Sequence, residues 1–91
     1  MQFKPTQLKD VYVVNLEKKT DDRGWLARTW DKTLAGKLGY DINFVQAYTC
    51  QTSKQGTLRG FHYTKLEHNE YKLNRVIRGS LYEVIVDLRP D

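Results

Sequence analysis

One histidine in the chain has neighbours that could support proton transfer at carbon. His62 lies in residues 56–63 (GTLRGFHY), with Arg59 three positions before it and Gly60 between them. A neutral imidazole is the natural base near neutral pH. Residues three apart in a regular strand point to opposite faces, so Arg59 and His62 share a pocket only if Gly60 permits a bulge. The alternative is a half-buried His62 that only packs or hydrogen-bonds, with Arg59 in solvent, and a lone histidine does not decide between them.

A lysine supplies the second candidate group. Lys72 lies where a polar loop, residues 64–70, enters the next predicted strand. An ammonium beside a carbonyl oxygen stabilises the negative charge that develops when the neighbouring carbon loses a proton. The alternative for any single lysine is a solvated surface position. His62 and Lys72 together therefore indicate proton abstraction beside a ketone as the chemistry to test.

Metal chemistry is the rival for the same region. His62, His68 and Glu70 are ligand types, but their spacing does not bring neutral imidazoles and a carboxylate together in one convergent cluster. The chain also has no P-loop, GxGxxG, GxSxG or zinc-finger spacing. We therefore predict no metal and no cofactor.

The net charge of +4 predicts attraction to anions, which include phosphorylated metabolites and nucleic acid. A nucleic-acid module would stack bases on Tyr48, Tyr63 or Trp30. We disfavour that class because the basic residues are spread along the chain instead of forming one stripe.

Strand-like segments dominate the pattern along the chain. Residues 11–16 (VYVVNL) predict a strand, residues 20–24 a turn and residues 25–30 (WLARTW) the returning strand. Residues 31–38 predict a short helix with Asp31 as N-cap and Gly39 as its stop. Further strands are predicted at residues 44–51, 57–63, 73–77 and 81–88, the last two forming a hairpin around the turn at residues 78–80.

This pattern predicts an all-β sandwich or barrel with one short helix, in a single domain over residues 1–91. A jelly roll needs about eight strands to shield its edges, and about six are visible here. An unpaired edge at residues 81–88 would invite another chain, so we expect either a strand-sharing dimer or a truncated protein. One cysteine, no leader-like segment and no long apolar run favour a soluble cytoplasmic protein without a membrane span.

Several motifs then resemble one enzyme family in order and spacing. They are FVQ at 44–46, KQGTLRGFHY at 54–63, EYKLNRVIRGSLY at 70–82 and VDLRP at 86–90, with DRG at 22–24. The chain thereby resembles the first half of the dTDP-4-dehydrorhamnose 3,5-epimerase family. The resemblance implies a cupin-type double-stranded β-helix (a jelly roll), truncated or sharing strands, that dimerises through exchanged N-terminal strands.

The resemblance also implies a reaction and roles for five residues. The substrate would be a 4-keto-6-deoxy sugar linked to a nucleoside diphosphate, epimerised without a metal. His62 would remove protons from the carbons beside the ketone and Lys72 would stabilise the enolate. Arg59 and Arg23 would hold the diphosphate, Arg23 in the partner's site, and Gln46 would add a polar contact.

Two departures from the family pattern leave a non-catalytic alternative open. Tyr48, Cys50, Thr64, Arg28 and Glu83 replace usual family residues. The aspartate that works with the family's histidine and the tyrosine that returns a proton lie in the second half of the family's length. A His62–Lys72 pair alone is therefore expected to deprotonate but to epimerise poorly. The alternative is a sugar-nucleotide-binding or structural cupin.

Overall fold

The first hairpin joins the strand predicted at residues 11–16 to an N-terminal strand that the sequence pattern missed. The computed structural model describes residues 1–65 and 67–90. In it, β1 (Gln2–Pro5) pairs antiparallel with β2 (Tyr12–Asn15), from Gln2 opposite Asn15 to Pro5 opposite Tyr12. The expectation that β2 pairs with residues 25–30 was wrong. A four-residue strand that ends in proline carries little periodic signal, which is why β1 was missed.

The second hairpin has shorter strands than predicted, and its first strand directly precedes the turn. β3 (Lys18–Asp21) pairs with β4 (Gly24–Ala27) around Asp22 and Arg23. The turn therefore falls within predicted residues 20–24, but the charged stretch before it is a strand. All four β3 residues are exposed, so no apolar alternation marks them in the sequence. β4 also ends three residues before the predicted boundary.

The helix has the predicted cap at each end. α1 runs over Lys32–Lys37, and the Asp31 side chain accepts from the backbone N–H groups of Thr33 and Leu34 at 2.9 and 3.2 Å. These backbone hydrogen bonds stabilise the carboxylate and lower the pKa of Asp31. At the other end Gly39 has a φ of +93°, and Tyr40 N donates to Ala35 O at 3.1 Å. That is the left-handed glycine stop of a Schellman motif.

The later half of the chain differs most from prediction. The strands predicted at residues 44–51, 57–63, 73–77 and 81–88 form no backbone ladder among the described residues. A side-chain hydrogen bond of 2.9 Å between Asn74 and Glu83 bridges the arms of the predicted hairpin. Every described residue from 43 to 90 is exposed. Composition marks a segment suited to a sheet, but a strand forms only where a neighbour accepts its hydrogen bonds.

Few side chains of the described residues are buried. Ala35 is the one fully buried hydrophobic residue of the described chain, and Tyr82 and Leu58 are 92% and 91% exposed. The regular secondary structure of the described residues is mostly β, with one short helix and two small antiparallel sheets, and these do not close a jelly roll. Within the same residues, no helix has the length and apolar character needed to cross a bilayer.

Candidate functional site

The candidate base is displayed on an exposed loop. His62 lies two residues after Gly60. The φ of Gly60, +101°, is in the region that glycine tolerates and other residues avoid. A Cβ at position 60 would lie 3.5 Å from His62 Nδ1 and 3.4 Å from its backbone nitrogen. Among the described residues nothing hydrogen-bonds to the His62 ring. Both Cβ distances are ordinary van der Waals distances, so the backbone conformation of Gly60, and not crowding by the ring, favours glycine here. The His62 side chain is exposed to solvent.

The candidate electrophile has a carboxylate beside it. Lys72 Nζ lies 3.8 Å from Glu70 Oε1, and the two side chains are about half exposed, at 53% and 45%. The other oxygen of Glu70 accepts from the Thr64 hydroxyl. An exposed ion pair of this kind is worth little and forms and breaks readily. Lys72 is thus free to exchange Glu70 for another anion.

The two candidate phosphate-binding arginines differ in their partners. Arg59 makes one described contact, from Nε to Thr52 Oγ1 at 3.3 Å. Arg23 is engaged by Asp21, with Nη2 2.6 Å from Oδ2 and Nε 3.2 Å from the same oxygen. This charge-assisted pair lowers the pKa of Asp21 and raises that of Arg23. Arg59 is therefore the readier of the two to accept an anion.

Gln46, the fifth predicted site residue, contacts another side chain of its own segment. Its Oε1 accepts from the Tyr48 hydroxyl at 2.9 Å. Considering all five, no hydrogen bond or ion pair within residues 1–65 and 67–90 joins one predicted site residue to another. The structure places each of them at the surface with its polar atoms accessible, but it does not assemble them into one cluster.

A polar cluster that sequence reasoning missed connects the two ends of the described chain. Arg89 donates from Nη1 to Asp10 Oδ2 at 2.6 Å and from Nη2 to the Lys9 carbonyl at 2.8 Å. Asp87 accepts from the same guanidinium at 2.9 and 2.8 Å. We call Asp10, Asp87 and Arg89 the Arg89 clamp. Arg89 is 79 residues from Asp10 and 80 from Lys9 in the sequence, so no local pattern could have revealed these contacts.

The clamp keeps its carboxylates ionised. Hydrogen bonds from Arg89 lower the pKa of Asp87 from 3.8 to about 2, and hydrogen bonds from Tyr40 and Arg89 lower the pKa of Asp10. A carboxyl group whose pKa falls on folding stabilises the fold above its usual pKa. That stabilisation disappears only as the pH drops towards the lower value. The clamp is therefore fully charged near neutral pH.

Two surface clefts lie away from His62. One separates the turn before β2 from residues 85–89, beside the Arg89 clamp. The other lies between β2 and residues 73–75, next to Trp30, whose ring meets Phe44 edge-on at 4.8 Å. In the part of the chain that the structure describes, no three His, Cys, Asp or Glu side chains come together as a metal site. The predicted base therefore has no enclosing wall from these residues.

Three known proteins, each named as an epimerase, are similar to this chain in sequence. A dTDP-4-dehydrorhamnose 3,5-epimerase of Methanothermobacter thermautotrophicus is 36% identical over 88 residues, which are 97% of this chain and 46% of that protein. The Escherichia coli enzyme of the same name is 33% identical over 87 residues, covering 94% and 46%. A dTDP-4-dehydrorhamnose 3-epimerase of Streptomyces niveus is 27% identical over 90 residues, covering 98% and 43%.

The chain thus spans about half the length of the curated relatives it matches. No solved structure matches it. The family model for dTDP-4-dehydrorhamnose 3,5-epimerase matches residues 5–91, which is nearly the whole sequence. These matches confirm the resemblance drawn from the motifs, and the chain belongs to the dTDP-4-dehydrorhamnose 3,5-epimerase family.

Proposed function

We propose that this chain carries the proton-abstracting part of a sugar-nucleotide epimerase. The substrate class is a 4-keto-6-deoxy sugar linked to a nucleoside diphosphate, and His62 removes a proton from a carbon beside the ketone. The observation that supports this most is the family match over residues 5–91, which includes the His62 and Lys72 segments. We infer a cupin-type fold, as a single partial domain, from the same membership.

The physical chemistry of the residues fits that reaction. A ketone acidifies its neighbouring C–H bonds because the electron pair left behind moves onto oxygen as an enolate. A neutral imidazole at His62 accepts the proton, and the Lys72 ammonium then stabilises the enolate oxygen. The exposed Lys72–Glu70 pair is weak enough for that exchange of partners. The enolate then takes up a proton from solvent, and a proton that arrives on the opposite face inverts the carbon.

Substrate binding would draw on the arginines. The planar donor fork of Arg59 suits a phosphate, and its single described contact leaves most of its donors available. Arg23 contributes only after it releases Asp21. Gln46 adds a polar contact through its amide NH2 group, because the Tyr48 hydroxyl contacts only the Oε1 atom. The diphosphate contributes most to the binding of such a ligand, because charge-assisted hydrogen bonds are stronger than neutral ones.

Exchange with heavy water tests the chemistry directly. The chain is incubated in deuterated buffer with a dTDP-linked 4-keto-6-deoxyglucose, and the protons beside the ketone are followed by NMR. We expect their signals to decay faster than in buffer alone, because each enolate picks up deuterium from solvent. Exchange at the rate of the buffer control would contradict the proposal.

A non-catalytic sugar-nucleotide-binding protein is the second candidate. It is favoured by the absence, among the described residues, of any carboxylate hydrogen-bonded to His62. For this function we expect calorimetry to detect binding of dTDP and NMR to detect no deuterium exchange. Binding that is lost in Arg59→Ala but kept in His62→Ala would support it, and no binding of dTDP at millimolar concentration would exclude it.

We further propose that a second copy of the chain covers the exposed apolar residues of segment 81–88. Val84, Ile85, Val86 and Leu88 are all at least half exposed, although such side chains are usually buried. No backbone hydrogen bond within residues 1–65 and 67–90 engages this segment, so another strand can bind its backbone groups. We expect sedimentation to give the mass of a dimer and Val86→Lys to shift it towards the monomer. A monomeric wild-type chain at high concentration would refute this arrangement.

A further inference from the structure

Four aromatic rings form a continuous edge-to-face series that ends beside the candidate electrophile. Phe3 meets Tyr12 at 6.2 Å between ring centroids, Tyr12 meets Tyr40 at 5.7 Å, and Tyr40 meets Tyr71 at 6.1 Å. Their interplanar angles of 85°, 79° and 75° are those of favourable aromatic pairs. We call these residues the aromatic ladder. It starts on the β1–β2 sheet and ends at the residue that precedes Lys72.

Tyr40, the third ring, is also held by its hydroxyl group. This hydroxyl donates to Asp10 Oδ1 at 2.5 Å and lies 3.1 Å from the Tyr12 hydroxyl. An ionised phenol there would face the Asp10 carboxylate, so the pKa of Tyr40 is raised. Tyr40 therefore remains a hydrogen-bond donor throughout the neutral range.

The anchor of Tyr40 is itself held in place. Asp10 adopts a φ of +65°, unusual outside glycine, and Arg89 binds its second oxygen through the Arg89 clamp. Because Asp87 contacts the same guanidinium, the two carboxylates share one fixed donor group. The ladder is thus tied to the clamp at Tyr40, where its hydroxyl is bonded and its ring contacts Tyr71.

We propose that Tyr40, held by the Arg89 clamp, is a positioning residue for Lys72 and acts through the Tyr71 ring. This inference rests on the proposed role of Lys72. Tyr71 and Lys72 share a peptide bond, so fixing the Tyr71 ring restricts the backbone from which the Lys72 side chain extends. The exposed Glu70 contact at 3.8 Å is too weak to supply that restriction.

Backbone dynamics test the physical link without relying on turnover. The heteronuclear nuclear Overhauser effect is measured at the Tyr71 and Lys72 amides in the wild type, Tyr40→Leu and Tyr82→Leu. Tyr82 is the matched control, a tyrosine of the same half that is 92% exposed and outside the ladder. We expect a lower value at both amides in Tyr40→Leu only. Equal values in all three proteins would overturn the inference.

Kinetics test the consequence for the reaction. Tyr40→Leu should lower kcat for deuterium exchange by about tenfold to a hundredfold with little change in KM, since small misplacements of a reacting group have effects of this size. Tyr40→Phe keeps the ring but loses the hydroxyl anchor, so its loss should be smaller. In a Lys72→Met background, Tyr40→Leu should cause no further loss.

The outcomes separate this inference from the proposed function. A kcat loss of the same size with and without Lys72 would show that Tyr40 does not act through the lysine, and would overturn the inference. An inactive wild type whose Lys72 amide still loosens in Tyr40→Leu would refute the proposed function and support the link between Tyr40 and residue 72.

Discussion

Replacing His62 by asparagine should lower the rate of deuterium exchange beside the sugar ketone by about 10²- to 10⁴-fold, the usual contribution of a general base. Asparagine keeps a polar side chain of similar reach but cannot accept a proton near neutral pH. The exposed position of His62 means that the change should leave the fold intact. The measurement is the initial rate of loss of the flanking proton signals in deuterated buffer.

The chain contains a matched control for this change. His68 is the other histidine, also exposed, and its ring lies 3.7 Å from Glu67. His68→Asn should exchange the substrate protons at the wild-type rate. Equal losses in the two variants would mean that neither ring acts specifically, and full activity in His62→Asn would remove the base from the mechanism.

Lys72→Met should produce the second large effect, a fall in kcat of about 10²- to 10³-fold, comparable with the loss of one donor to a developing oxyanion. Methionine resembles the lysine stem in length and removes only the charged end. In the proposed function the diphosphate supplies most of the ground-state binding, so KM should change little. The rate is measured over a range of substrate concentrations to separate kcat from KM.

Lys54→Met provides the comparison for charge alone, because it removes one exposed positive charge from a polar loop that also precedes a predicted strand. It should retain the wild-type kcat. If KM rises in Lys72→Met while kcat stays constant, Lys72 stabilises the bound substrate and the transition state equally. It then does not act as the electrophile.

Local signals in the sequence predicted the parts of the fold that local contacts determine. The helix was located to within one residue at each end because Asp31 and Gly39 act on their immediate neighbours. The hairpin turn at Asp22 and Arg23 was located for the same reason, since the Asp21 side chain accepts from Arg23 N at 2.9 Å.

Long-range structure was not predictable in the same way. β1 pairs across a loop of uncommon shape that includes Asp10 at positive φ, and Arg89 reaches a partner 79 residues away. The segments at 57–63 and 81–88 have strand composition but lack a pairing neighbour among the described residues. His62, Arg59 and Lys72 were singled out by the chemistry of their side chains, and Arg23 and Gln46 by motif resemblance. Neither kind of signal indicates which side chains converge.

The ion pair at the tip of the β3–β4 hairpin affects how the protein can select ligands. Arg23 already holds the Asp21 carboxylate through Nε and Nη2, and Asp22 adds a second negative charge to the same turn, so an incoming anion has to displace Asp21. The ligand gains only the difference between its own attraction and that of a singly charged carboxylate. With Arg23 in its proposed phosphate-binding role, a multiply charged diphosphate would displace Asp21 more readily than a singly charged carboxylate would, so the hairpin would select ligands by their charge.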